Sequence, residues 1–165
     1  MAGPYRSEEV RLLPPGAKDV PLGYNFSLYT YGPFDVSVLD DLAYAETLEA
    51  VKVQTISYPN SYGYDIRPGS GAREIKSKAT EFLAAHRHSI RWVIDEFKDL
   101  NAAQLELAST MVYADREAER AGESLSLKDL TQRVLAVKPR FDFDRAYSPA
   151  ESLRAKGLLR SIRIC

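Results

Sequence analysis

Tyr29-Thr-Tyr-Gly-Pro-Phe-Asp-Val-Ser-Val-Leu-Asp-Asp-Leu42 decides how this chain is read, because it joins an aromatic strand end, a Gly-Pro turn and a capped amphipathic helix. Upstream, Tyr24, Phe26 and Leu28 alternate with Asn25 and Ser27, the period of a strand that Tyr29 to Tyr31 continue and that Gly32-Pro33 is expected to stop. Downstream, Asp35 or Ser37 caps a helix, with Ser37 and Asp40 spaced as a capping box. Val38, Leu42, Ala45 and Leu48 recur at helical spacing and predict one buried stripe. Val51 to Tyr58 and Tyr62 to Ile66 then read as the strands of a hairpin around Pro59-Asn-Ser61. A helix followed by such a wing is the pattern of a winged helix. Yet Asp35, Asp40, Asp41, Glu46 and Glu49 give the span from Asp35 to Ala50 five negative charges and no Lys or Arg, the wrong sign for reading a phosphate backbone.

Beyond the hairpin, Pro68-Gly-Ser-Gly71 breaks the chain before a long helix carrying Ile75, Ala79, Phe82, His86, Val93 and Phe97 near a 3.6-residue repeat. Asn101 to Gln104 supplies the cap of a further helix, which Gly122 stops. Ser126 caps a shorter one, ended by Pro139. Ser148-Pro149-Ala-Glu151 has the form of a new helix start, with Gly157 at its end. The whole predicts an α+β, mostly helical protein. A Pro-rich arm covers residues 1–22, a winged-helix-like core (helix plus hairpin wing) 23–70, and a helical subdomain 71–165, together one structural unit.

Composition narrows the function. A chain of 165 residues with 45% hydrophobic and 27% charged residues is long and apolar enough to bury a core. Its formal net charge of -1 gives no global attraction to nucleic acid or an anionic membrane. The single Cys165 leaves no intrachain disulfide or Cys-rich metal site and points to a reducing cytoplasm, and no apolar run is long enough to span a bilayer.

Tyr31-Gly-Pro-Phe-Asp35 with Asp41-Leu42, the Tyr-rich hairpin, Leu105-Glu-Leu-Ala-Ser-Thr-Met-Val-Tyr113, and Lys138-Pro-Arg-Phe141 running to Gly157-Leu-Leu159 together resemble the YwgA-like and Panacea-type (SocA antitoxin-like) proteins of bacteria and archaea. The resemblance extends over about residues 21–160 as a succession of short motifs in order. It implies a winged-helix-like core followed by helices, and an antitoxin or adaptor that neutralises or delivers a partner protein such as a toxin or regulator. It supplies no catalytic residues. Two departures stand out. The family's Leu- and Lys-rich N-terminal helix is replaced by the Pro-interrupted Met1 to Val20, so the domain is either truncated or differently started, and the apolar surface so left bare implies self-association. The Gly that ends the family's helix after Asp41-Leu42 is replaced by Glu49.

No group of residues predicts a catalytic, cofactor or metal site. His86 and His88 lie two apart on a helix and point apart, Cys165 has no base beside it, and Asp40-Asp41 diverge by about 100°. Gly69-Ser70-Gly71 precedes a helix but lacks the spacing and Lys of a phosphate loop, so a connector is the better reading. The expected partner surface comprises Asp40, Asp41, Glu46, Glu49, Tyr58, Tyr62 and Tyr64, since Tyr is a frequent interface residue. The alternative is a DNA-binding regulator that uses Arg67, Arg73, Lys76, Lys78, Arg87 and Arg91, with a second basic group at Arg154, Lys156, Arg160 and Arg163.

Overall fold

The computed structural model describes residues 20–58 and 61–162. Most of the expected Pro-rich arm, the turn residues Pro59 and Asn60, Arg163 and Cys165 lie outside the described residues, as do the side chains of Tyr58 and Tyr62. The protein is α+β and predominantly helical. Its elements run β1 (Ser27–Tyr29), β2 (Gly32–Phe34), α1 (Ser37–Thr47), β3 (Val51–Tyr58), β4 (Ser61–Pro68), α2 (Ala72–Lys78), α3 (Thr80–Phe97), α4 (Ala102–Arg120), α5 (Leu127–Val137) and α6 (Phe143–Ala155). β1 pairs antiparallel with β2, and β3 with β4. The helix-then-hairpin order expected after Phe34 is therefore present as α1, β3 and β4.

The chain divides into two compact units, at Phe34/Asp35 and at Arg87/His88, where the sequence pattern placed its boundaries at 22/23 and 70/71. A discontinuous unit holds β1, β2, the second half of α3 and α4 to α6; an inserted unit, Asp35–Arg87, holds α1, β3, β4, α2 and the first half of α3.

The discontinuous unit is built around α4, whose Leu107, Ala108, Met111, Val112 and Ala118 are buried. Leu130 and Val134 of α5, and Ala146, Ala150 and Leu153 of α6, are also buried, the apolar residues of each helix lying three or four apart as one face of a helix requires. Both expected caps form as capping boxes, Asn101 with Gln104 and Ser126 with Asp129. Gly122 (φ 69) and Gly157 (φ 68) end α4 and α6 in left-handed conformation, and the amides of Glu123 and Leu158 reach back to the carbonyls of Ala118 and Leu153.

Three local expectations are corrected. Gly32-Pro33 does not stop a strand but begins one: the chain reverses at Thr30-Tyr31, and Gly32 pairs with Tyr29 and Pro33 with Leu28. Among the described residues this sheet has two strands, which puts Pro33 on an edge where its missing N–H costs nothing. The long helix over residues 75 to 97 is two helices, broken at Ala79. There the Ser77 hydroxyl donates to the Glu74 carbonyl at 2.7 Å and the Thr80 hydroxyl to the Ser77 carbonyl at 2.6 Å, competing with the helical ladder. The last helix starts not at Pro149 but at Phe143, where Asp142 caps the Arg145 amide at 2.8 Å. Pro149 is carried inside α6 because Ala146, Ala150 and Leu153 bury the face on which continuity depends.

Candidate functional site

Two arrangements concentrate chemistry, one in each unit. In the discontinuous unit, the β1–β2 turn is held by a buried charge cluster. Lys138, the residue before Pro139 and therefore forced out of the helix, donates from Nζ to the carbonyl of Tyr29 at 3.0 Å and to that of Thr30. The same Nζ lies 3.2 Å from Glu106 Oε1, and both side chains are only 4% exposed. Arg140 pairs with the other Glu106 oxygen and places its guanidinium 5.8 Å from the Tyr31 ring centre and 4.8 Å from that of Phe141. Gly32 fits beneath because it has no Cβ: one built there would stand 3.2 Å from Ser109 Oγ, and its φ of 116° excludes other residues.

The cluster explains why Tyr-Gly-Pro, Glu106 and Lys138-Pro-Arg140 occur together in one chain: they are parts of one clamp. Lys138→Met should cost about 2–3 kcal/mol, because it frees two turn carbonyls and leaves the buried Glu106 with only the half-exposed Arg140 as a cationic partner. Chemical denaturation would measure the loss, and amide exchange should quicken first at Tyr29 to Gly32. Unchanged exchange there would show that the lysine does not hold the turn.

In the inserted unit, no described side chain is buried, which corrects the expected stripe: Leu42 and Ala45 are half-buried and Val38 and Leu48 exposed. Polar contacts organise it instead. The N-cap of α1 is Val36, with no side-chain cap, so the expected Ser37–Asp40 box does not form; Asp35 instead accepts from the Ser37 amide at 2.8 Å just ahead of the helix. Glu46 Oε1 accepts from the Val53 amide at 3.1 Å, and the Glu49 carboxylate accepts from the Ser70 hydroxyl. Glu49 takes the place of the expected glycine in the left-handed region (φ 53), and the amides of Glu49 and Ala50 return to the carbonyls of Glu46 and Ala45. Gly69 and Gly71 donate to the carbonyls of Ala50 (3.0 Å) and Glu49 (2.9 Å). Gly69-Ser70-Gly71 is therefore a connector wrapped on the end of α1, with those two amides committed to the fold.

Of the carboxylates expected to face a partner, Glu46 and Glu49 thus serve the unit's own turns, while Asp40 and Asp41 stand exposed on α1. Tyr64 is 48% exposed. Among the basic residues, Arg67 pairs with Asp65 (2.7 Å), Lys78 with Glu74 (2.7 Å) and Arg91 with Asp95 (2.8 Å). Arg73, Lys76 and Arg87 are exposed residues of the inserted unit, whereas Arg91 belongs to the other. His86 packs on Phe82, ring centres 4.6 Å apart, and His88 is exposed. Lys156 pairs with Glu96 beside a cleft of about 250 Å³ lined by Phe97, Ala108 and Leu153. The apolar exposure of the inserted unit was the feature hidden from the sequence, because its spacing is that of an ordinary core.

Among the described residues no three His, Cys, Asp or Glu side chains gather to hold a metal ion, and no helix is long and apolar enough to cross a membrane. No family model matches this chain, nor does any curated protein or solved structure.

Proposed function

We propose that this chain is a non-enzymatic protein-interaction module of antitoxin-like or regulatory kind, acting in the cytoplasm, whose partner seats on the inserted unit. One observation carries the reading. The inserted unit is a compact body of about 50 residues, a size at which burial is already marginal, and none of its described side chains is buried. Val36, Tyr44, Tyr64 and Ile66 are 60%, 64%, 48% and 49% exposed, and Leu39, Leu48, Ile56 and Phe82 add to them. So much exposed apolar surface on so small a body is the composition of an interface awaiting its other half. The resemblance to antitoxin-like proteins supports the same reading.

The DNA-binding alternative rests on Arg73, Lys76 and Arg87. Three of the six expected phosphate contacts are neutralised by neighbouring carboxylates, which leaves it the weaker reading. One experiment separates the two: immobilise the full chain, capture from host lysate, and repeat with Tyr44→Asp and Ile66→Asp. A specific protein retained by the wild type and reduced at least about tenfold by either variant is the expected result. A strict monomer that captures no protein, yet shifts genomic DNA in a salt-dependent manner, would replace this reading by the alternative.

A further inference from the structure

We propose that a single buried water molecule belongs to the clamp beneath the β1–β2 turn, bound between the Thr110 hydroxyl and Glu106 Oε1 of α4. The site lies in the discontinuous unit and is independent of what seats on the inserted one.

Two orphaned oxygens mark it. Thr110 is fully buried and Glu106 is 5% exposed, and neither Thr110 Oγ1 nor Glu106 Oε1 makes a hydrogen bond to a described residue. Lys138 Nζ stands 3.2 Å from that carboxylate oxygen as its ion-pair partner, but its hydrogen bonds go to the carbonyls of Tyr29 and Thr30. Arg140 takes the other oxygen. An oxygen left in this way keeps the whole cost of its lost hydration, which is why buried polar groups are nearly always paired. Elsewhere in this unit they are: the Thr131 hydroxyl donates to the Leu127 carbonyl at 2.8 Å, and the Ser161 hydroxyl to Asp115 at 2.7 Å. Among the described residues Thr110 Oγ1 and Glu106 Oε1 are the two exceptions, and they sit four residues apart on one helix. Their pairing in space points to one shared partner.

The geometry sets what that partner does. Residues four apart lie on the same side of a helix with Cβ atoms about 5–6 Å from each other, the span of two hydrogen bonds of about 2.8 Å in series. Gly32 covers the place: a Cβ built there would stand 3.8 Å from Thr110 Oγ1, 3.8 Å from Glu106 Cγ and 3.2 Å from Ser109 Oγ, so three side chains of α4 converge beneath it. Ser109 donates its own hydroxyl to the Glu106 carbonyl at 3.2 Å, which leaves its lone pairs to accept. A water in this position accepts from Thr110 and donates to Glu106 Oε1 and to Ser109 Oγ, about the three bonds that buried waters make.

Size and charge select water over other occupants. Gly32, Glu106, Thr110 and Lys138 are all buried, which closes the place to a molecule of several heavy atoms. A cation would meet the Lys138 ammonium, which with Arg140 already gives this carboxylate two positive partners, and an anion would meet Glu106 itself. The water ties the floor of the turn to α4 where Lys138 ties its carbonyls, so the clamp holds Tyr29 to Gly32 from two sides.

The test is a crystal structure of the full chain at about 1.5 Å, paired with urea unfolding of Thr110→Val, which keeps the shape of the side chain and removes its hydroxyl. The wild-type map should show a water within about 3.2 Å of both Thr110 Oγ1 and Glu106 Oε1. Thr110→Val should raise the unfolding equilibrium constant about tenfold, because the water and through it Glu106 lose a partner. A hydroxyl with no water on it predicts the opposite sign, since replacing an orphaned polar group by a methyl is neutral or stabilising. A wild-type map that orders waters elsewhere but none between these two oxygens overturns the proposal, and so does a Thr110→Val protein as stable as the wild type or more so.

Discussion

Asp115→Ala is expected to destabilise the discontinuous unit by about 3–5 kcal/mol, the cost of removing one partner from a buried charge network. Asp115 is fully buried. It accepts from the Arg160 amide at 2.8 Å, the Ser161 amide at 2.9 Å and the Ser161 hydroxyl at 2.7 Å, and it pairs with Arg116 at 2.5 Å. Arg116 in turn donates to the Leu158 carbonyl at 2.9 Å. Burial, followed by the nearby charge of Arg160, pulls the Arg116 guanidinium below its ordinary pKa, against the opposing pull of Asp115 and Glu119. Without the carboxylate that buried cation would keep only the Leu158 carbonyl and the Glu119 carboxylate 3.9 Å away. The strand-like segment after α6, which bonds the Leu125 amide to the Ser161 carbonyl at 2.9 Å, would lose its anchor on α4. Urea unfolding should show a lower midpoint with an unchanged slope. Asp115→Leu combined with Arg116→Met should recover part of the loss, since an apolar pair leaves no charge stranded. No recovery in the double variant would place the cost in the lost backbone contacts alone.

The sequence carried those parts of the fold whose causes are local. Asn101 and Gln104, Ser126 and Asp129, and the glycines at 122 and 157 announce helix ends because a cap or a left-handed residue acts within one turn. What was hidden had distant causes. Pro149 reads as a helix start until Asp142 is seen capping seven residues earlier and Ala146, Ala150 and Leu153 are seen buried. Glu106 and Lys138 are two ordinary charges in sequence, and only the closing of the β1–β2 turn onto α4 makes them a buried pair. The stripe Val38, Leu42, Ala45 and Leu48 has a core-like period, but period reports amphipathicity and not what covers it. The acidic run is legible as charge, yet Glu46 and Glu49 are committed to the Val53 amide and to Ser70, contacts that depend on the hairpin returning past the end of α1. The exposed apolar face of the inserted unit is therefore the part of this molecule that its sequence describes least.

Gly69→Ala is expected to unfold the inserted unit while leaving the discontinuous unit folded. A Cβ at Gly69 would lie 2.0 Å from the Glu49 carbonyl oxygen and 2.8 Å from its carbon, and at Gly71 2.6 Å from the Leu48 carbonyl oxygen. These are backbone atoms and cannot rotate aside. Moving them would break the Gly69 to Ala50 and Gly71 to Glu49 hydrogen bonds, where the end of α1, the end of β4 and the start of α2 meet. With none of its described side chains buried, overpacking at the upper end of the usual range, about 3 kcal/mol, is a large share of what holds so small a body together. Hydrogen exchange should lose about a hundredfold of protection across α1, β3, β4 and α2, while α4 to α6 keep theirs. Gly122→Ala is the matched control. Its φ of 69° makes alanine strained by about 1 kcal/mol, but nothing stands within 4 Å of the added Cβ. If Gly69→Ala proved no worse than Gly122→Ala, the close approach at Glu49 would not be what organises the inserted unit. A loss confined to residues 35–87 would establish that the inserted unit can be unfolded without unfolding the helices around α4.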